Sequence, residues 1–363
     1  MAEGVRLYAG TQHGLFVWRS QNGGWDEVFR GFERNVFDSI AGSRQHPERV
    51  FTTVAFDGVY RTTDGGKTWT RVFSMPDGDV RAVAVDPTDD RVVYAGTEPI
   101  HLYRSEDGGD TWEELSALPA LPEDVRKKWW TPYPPHTGHV RNIFVHADDP
   151  NILYLCLEHG GVVRSFDRGA SWEDVSDGID YVDMHLLANL PGSTRRYYVT
   201  SARGFFTSED PAQGWVRAEN GMTRNYFHDF LFLPPRRAGE APQMLISAGD
   251  GSPGFWRRES RGAAAALFRS DDCGASWYRV GHNLPEQMDA FMWALTPHPT
   301  DPDAVFGGVG AVNRGEAVDT PSNGSVALID TPGDLLLSRD RGDTWERLPL
   351  TLPADRVLWA AAD

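Results

Sequence analysis

One eight-residue phrase recurs along the chain, and a recurrence of this kind commits a sequence to an array of similar units before any single element is considered. Thr62-Thr63-Asp64-Gly65-Gly66-Lys67-Thr68-Trp69 returns as Ser105-Glu106-Asp107-Gly108-Gly109-Asp110-Thr111-Trp112 and as Ser165-Phe166-Asp167-Arg168-Gly169-Ala170-Ser171-Trp172. Copies from Ser270 to Trp277 and from Ser338 to Trp345 keep S-x-D-x-G-x-[ST]-W. Two copies are worn: Ser208-Glu209-Asp210 reaches Gly214-Trp215 without the central glycine, and Ser20 to Trp25 is two residues short. Each phrase reads as a hairpin, with Asp and Ser/Thr oxygens bonding backbone N–H groups, Gly permitting a positive φ and Trp anchoring the turn.

Short apolar runs precede each phrase, such as Ala82-Val83-Ala84-Val85, Val92-Val93-Tyr94-Ala95 and Leu102-Tyr103-Arg104, so each unit is expected to hold four strands. The intervals between copies are 42, 43, 60, 43, 62 and 68 residues, a basic period near 43 with three insertions. From Ser338 past the C-terminus and on from Met1 to Ser20 is 45 residues, close to one further period. The expected fold is therefore all-β: a seven-bladed β-propeller of four-stranded blades, one domain over 1–363, closed by Arg356-Val357-Leu358-Trp359-Ala360 pairing with the N-terminal blade. The insertions fall at about 116–139, 250–266 and 311–334.

These phrases resemble the Asp-box, or BNR, repeats of sialidases, sortilin-type receptors, two-propeller xyloglucanases and a photosystem-assembly propeller. The resemblance implies the propeller fold and says little of activity, because such boxes lie on outer hairpins away from the sites of those proteins. Sialidases have six blades, an arginine triad and a tyrosine nucleophile backed by a glutamate. Arg81, Arg141 and Arg203 match that triad in number alone, and seven blades argue against it.

Charge narrows the partners: 35 basic against 52 acidic residues give −17, the wrong sign for a polyphosphate backbone. No apolar run approaches a membrane span, and Met1 to Gly10 lacks the pattern of a secretory leader. Two cysteines, Cys156 and Cys273, suit a reducing compartment, so a cytoplasmic location is expected, with no nucleic-acid or membrane partner.

Aligning the innermost strands places Ser39, Arg81, Arg141, His185, Trp293 and Leu358 at equivalent channel-mouth positions, with His228 or Asp229 in the sixth unit. Asp38, Asp183 and Asp289 lie one step earlier. The first insertion carries Trp129, Trp130, Tyr133, His136 and His139 and reads as a proline-stiffened aromatic lid. Trp256 and Arg257 in the second could add an aromatic wall and a cation.

His185, His228, His139, Arg141 and Arg81 are thus the candidate catalytic groups. Trp129, Trp130, Tyr133, His136, Trp293, Trp256, Arg257, His159 and Glu158 are the candidate ligand contacts. His136, His139, His185, His228 and Asp229 offer donors for a divalent transition metal if they converge, and the same histidines can do acid–base work without one. His46, His146 and His298 sit in turns and read as structural. Two functional readings follow. The first is an enzyme or small-ligand binder at the channel mouth, a hydrolase or lyase acting on a polar or carbohydrate-like ligand. The second is a non-catalytic scaffold that binds or assembles proteins.

Overall fold

The computed structural model describes residues 4–33, 35–131, 134–256, 262–310, 333–350 and 352, and the backbone of strands 317–318, 326–327 and 357–362. Seven four-stranded antiparallel sheets stand in a ring, as the repeat requires. The second blade is typical, its strands running Ile40–Gly42, Val50–Val54, Gly58–Thr62 and Thr70–Phe73 from channel to rim. The first blade takes its innermost strand from the other end of the chain: Val357–Ala362 pairs antiparallel with Arg6–Thr11, Leu7 opposite Ala362.

Each blade is sandwiched between two others, so its inner strands bury both faces and lose the alternation of a half-exposed sheet. Val50–Val54 is buried at every residue for this reason. The core is accordingly divided into clusters between blades. Tyr8 and Val17 of the first blade meet Phe37, Val50 and Val54 of the second, while Leu7 and Ala9 meet Phe306 and Leu337 of the seventh.

The Asp-boxes close the hairpins between third and fourth strands. Asp107 Oδ1 accepts the Asp110 and Thr111 amides at 3.0 and 2.8 Å, Ser105 Oγ accepts the Gly109 amide at 2.8 Å, and the Trp112 indole donates to Gly109 O at 3.0 Å. In the worn fifth copy a 3-10 turn over Pro211–Gln213 takes the place of the box, and Trp215 donates instead to Val175 O of the preceding blade.

The boxes share a face with the turns joining first and second strands, as Arg168 of one box shows by donating to Asp86 of such a turn at 3.1 Å. In these turns Ser43, Asp86, His146 and His298 play one part, each accepting a backbone amide two residues on. His146 and His298 are therefore structural acceptors, and His46 is held by Asp90 at 2.6 Å. The blade-to-blade connections and the second-to-third-strand loops lie on the opposite, upper face.

Candidate functional site

A shared irregularity of the innermost strands builds the channel mouth. Their ladders skip a residue between Val80 and Ala82, Val140 and Asn142, Met184 and Leu186, and Met292 and Ala294, and skip two between Phe227 and Phe230. The skipped residues are Arg81, Arg141, His185, Trp293, and His228 with Asp229. A bulge leaves its residue outside the ladder and re-aims the side chain, so the aligned positions of the sequence are one structural feature repeated around the ring.

From these bulges an almost continuous arc of ionisable groups runs round the upper channel. Arg81 Nη1 lies 3.2 Å from both Asp38 and Asp79, and its Nε lies 3.5 Å from Glu98. His139, only 3% exposed at its side chain, stands between Glu98 at 3.6 Å and Glu158 at 3.1 Å. Arg141 Nε is 3.9 Å from the same Glu158 oxygen, and its Nη2 donates to His228 Nε2 at 2.8 Å. A guanidinium can only donate, so His228 accepts at Nε2 and carries its proton on Nδ1, which donates to Trp293 O at 3.2 Å. His185 donates from Nδ1 to Phe227 O at 2.6 Å, lies with its ring 5.0 Å from that of His228 and tilted by 36°, and turns Nε2 toward Asp183 at 3.7 Å. His159 Nε2 approaches the other Asp183 oxygen at 3.9 Å.

Two carboxyls of this arc are driven in opposite directions. Burial pushes the Asp183 carboxyl up, the neighbouring Glu158 charge pushes it further, and Arg141 and Arg203 oppose both without prevailing, leaving it well above the usual carboxylate range. Burial acts on Glu158 in the same sense, but His139, Arg141 and His185 outweigh it and hold Glu158 well below that range. Two neighbouring carboxyls shifted in opposite directions make a candidate pair for a general acid and a general base.

The remaining candidates separate by packing. Trp256, 1% exposed, stacks on Phe291 at 5.2 Å, meets Tyr226 and Trp293 at 5.0 and 5.9 Å, and donates its indole N–H to Asp250 O. Both Trp256 and Trp293 are thus interior to an aromatic cluster that backs His185 and His228, instead of forming a wall open to ligand. Trp129 is likewise drawn into the apolar cluster of the third and fourth blades, where the insertion's Leu118 and Leu121 anchor it. Trp130 is 55% exposed and stacks on His136 at 5.7 Å. Tyr133 and Arg257 lie outside the described residues.

The metal set does not assemble. His136 is exposed on the lid, and Asp229 turns between blades to accept the Leu295 amide at 2.7 Å. Among the described residues no three His, Cys, Asp or Glu side chains are grouped to hold a metal ion. Asp229 instead repeats the part of Asn142, which accepts the Leu187 amide, and of Ser39, which accepts that of Val83.

Residue alignment missed Asp79, Glu98 and Tyr226. Glu98 carried a signal, since it faces Asp79 across the ladder of its blade as Glu158 faces His139 in the next.

Below the mouth the channel opens into a cavity of about 370 Å³ between the inner strands of the second to fifth blades, with Arg141 among its lining residues. Its outer rim, at Arg44 and Pro87, is on the Asp-box face, opposite the lid.

The BNR/Asp-box repeat profile matches residues 60–71, the first complete box. Comparison with curated protein sequences gives no match. Among solved structures the chain resembles the GH74 xyloglucanase from Xanthomonas campestris, at 16% identity and a TM-score of 0.56, over 97% of this chain and 66% of that one. It resembles the Niastella koreensis GH74 enzyme at 15% identity and 0.54, over 98% and 60%. It also resembles YCF48 bound to D1 peptide, at 16% identity and 0.57, over 85% and 86%. The chain thus spans less than two thirds of the length of those two GH74 enzymes, and likeness at such identities speaks for the fold alone. With the repeat profile, the box geometry and the closed ring together, the chain is a seven-bladed β-propeller built on BNR/Asp-box repeats.

Proposed function

We propose that this propeller is a hydrolase acting on a small polar ligand at its channel mouth, with Asp183 as general acid and Glu158 as general base. The opposed carboxyls carry the reading. Arg141 acts on both carboxyls and Arg203 on Asp183, and these cations would steady negative charge developing on the ligand. The GH74 neighbours are in keeping with hydrolysis, and carbohydrate is the first ligand class to try.

The test is turnover of a panel of aryl glycosides and aryl esters against pH. Asp183→Asn and Glu158→Gln should each lower the rate by about 10²–10⁴-fold with little change in melting temperature. Rates equal to wild type in both variants would overturn the assignment, as would a panel extended to free polar ligands that shows neither turnover nor a thermal shift.

A scaffold reading has its own support. YCF48 is seen with a bound peptide, and Trp130 and Phe56 in loops and Phe255 in the short helix Pro253–Trp256 are exposed on the upper face here. Under that reading a joint Trp130→Ser, Phe56→Ser and Phe255→Ser variant would lose its partner while Asp183→Asn kept it.

A further inference from the structure

The hairpin between the third and fourth strands of the first blade, Gly14–Gln21 and Gly24–Gly31, stands where most other blades carry an Asp-box. Its worn phrase starts at Ser20 and puts Asn22 in the place that Asp107 holds after Ser105. The wear changes what that side chain can do. Asp107 is tied by four donors: the Ser105 and Thr111 hydroxyls at 2.8 and 2.6 Å, and the Asp110 and Thr111 amides at 3.0 and 2.8 Å. Asn22 is exposed, and among the described residues its side chain makes no hydrogen bond.

The turn itself is short and open. Gln21 lies opposite Gly24, so Asn22 and Gly23 form a two-residue loop with φ of 50° and 76°, the left-handed pair that Asn-Gly suits. The Gly23 amide makes no hydrogen bond among the described residues, and a Cβ at Gly23 would meet nothing within 4 Å. A side-chain carbonyl carbon therefore sits next in sequence to an amide nitrogen that is unbonded and unhindered.

A second Asn-Gly pair, Asn220 and Gly221, supplies the contrast. Asn220 O accepts the Trp277 amide at 2.8 Å, and the Asn220 side chain donates to Ala275 O at 3.4 Å. Gly221 packs so closely that a Cβ there would stand 2.1 Å from Trp277 O. That backbone cannot turn without giving up its hold on the neighbouring box. The third pair, Asn323 with Gly324, lies outside the described residues.

We propose that Asn22 is a site of spontaneous covalent modification, deamidation through a cyclic imide, from which packing protects Asn220. Gly23 N attacks Asn22 Cγ and closes a succinimide ring, while the Cγ–Nδ2 bond breaks and the nitrogen leaves as ammonia, taking the Gly23 amide proton with it. Water then opens the ring. Addition at Cγ gives aspartate, and addition at the main-chain carbonyl carbon of Asn22 gives isoaspartate, with the chain continuing through Cγ. Either product adds a negative charge on the Asp-box face. Isoaspartate also adds a methylene to the backbone of a two-residue loop, which disturbs the pairing of Gln21 with Gly24.

The test is incubation of the full chain at mildly alkaline pH, folded and separately unfolded in urea, followed by peptide mass mapping. Trypsin puts the three Asn-Gly pairs on separate peptides, 20–30, 218–224 and 315–339. In the folded chain, peptide 20–30 should take on the mass of an amide turned to acid at least about tenfold faster than 218–224. It should also become a substrate for an isoaspartyl carboxyl methyltransferase, and Asn22→Gln should suppress both signals. In urea the two peptides should convert at similar rates. Equal rates in the folded chain, or an unchanged peptide 20–30 over a period in which the urea-treated chain converts, would each overturn the site. Slow conversion of 218–224 in urea as well would trace the selectivity to sequence and overturn the protection by packing. These are readings of mass and not of turnover, so they stand or fall separately from the hydrolase proposal.

Discussion

Asp229 shows how one bulge position can serve the scaffold in one blade and bring cost in another. Burial pushes its carboxyl up to about 7 from an ordinary 3.8, and the two backbone amides it faces only partly offset this. A carboxyl raised on folding contributes stability fully below its unfolded value, and that contribution drains away as pH rises through the folded one. Asp229→Asn keeps an acceptor for Leu295, as Asn142 does for Leu187, and removes the ionisation. Its melting temperature should exceed that of wild type by several degrees at pH 8 and by much less at pH 5. A gain independent of pH, or a loss, would show that Asp229 is ionised in some other role. The paired variant His185→Gln with His228→Gln should abolish turnover and leave the melt nearly unchanged, whereas His146→Gln with His298→Gln should lower the melt alone by weakening two turns.

At the scale of the element, the box carries its own pH dependence. Hydrogen bonds from the Thr111 hydroxyl and amide hold the Asp107 carboxyl at about 2; at Asp64 burial opposes the same bonds from Thr68 and loses, leaving about 2 there also. A carboxyl depressed on folding contributes stability above its unfolded value, near 3.8, and loses it as pH falls toward the folded one. Urea midpoints should therefore drop between about pH 4 and pH 2, and Asp107→Ala should lower the midpoint at pH 6 far more than at pH 2. The tryptophans of the boxes are unequal. Trp277 is buried and bonded across to Ala218, so Trp277→Ala should cost about 3–5 kcal/mol, while half-buried Trp112 should cost less. Equal losses at the two sites, measured by denaturant titration, would mean that the boxes act independently of their burial.

For the whole molecule, closure depends on one strand. Removing residues 357–363 would strip the first blade of its inner strand and open edges on either side, and the melting transition should fall steeply or vanish. Ring, blade count and clasp were all legible in the sequence because each follows from the period of the boxes. The bulge residues were legible for the same reason. What the insertions would do was not, since they differ from blade to blade: Trp256 looked like a wall and is buried among Tyr226, Phe291 and Trp293, and Trp129 looked like part of a lid and packs, half-buried, against the core of the third and fourth blades. Asp183 and Glu158 come from different blades, so their opposition arises only when the ring brings them together. That opposition can be read directly by following the side-chain carboxyl ¹³C signals of the full chain through an acid titration. Asp183 should titrate well above the ordinary carboxylate range and Glu158 well below it, and Glu158→Gln should bring Asp183 down. Two carboxyls titrating together in the ordinary range, with Asp183 indifferent to Glu158→Gln, would contradict the acid–base pair.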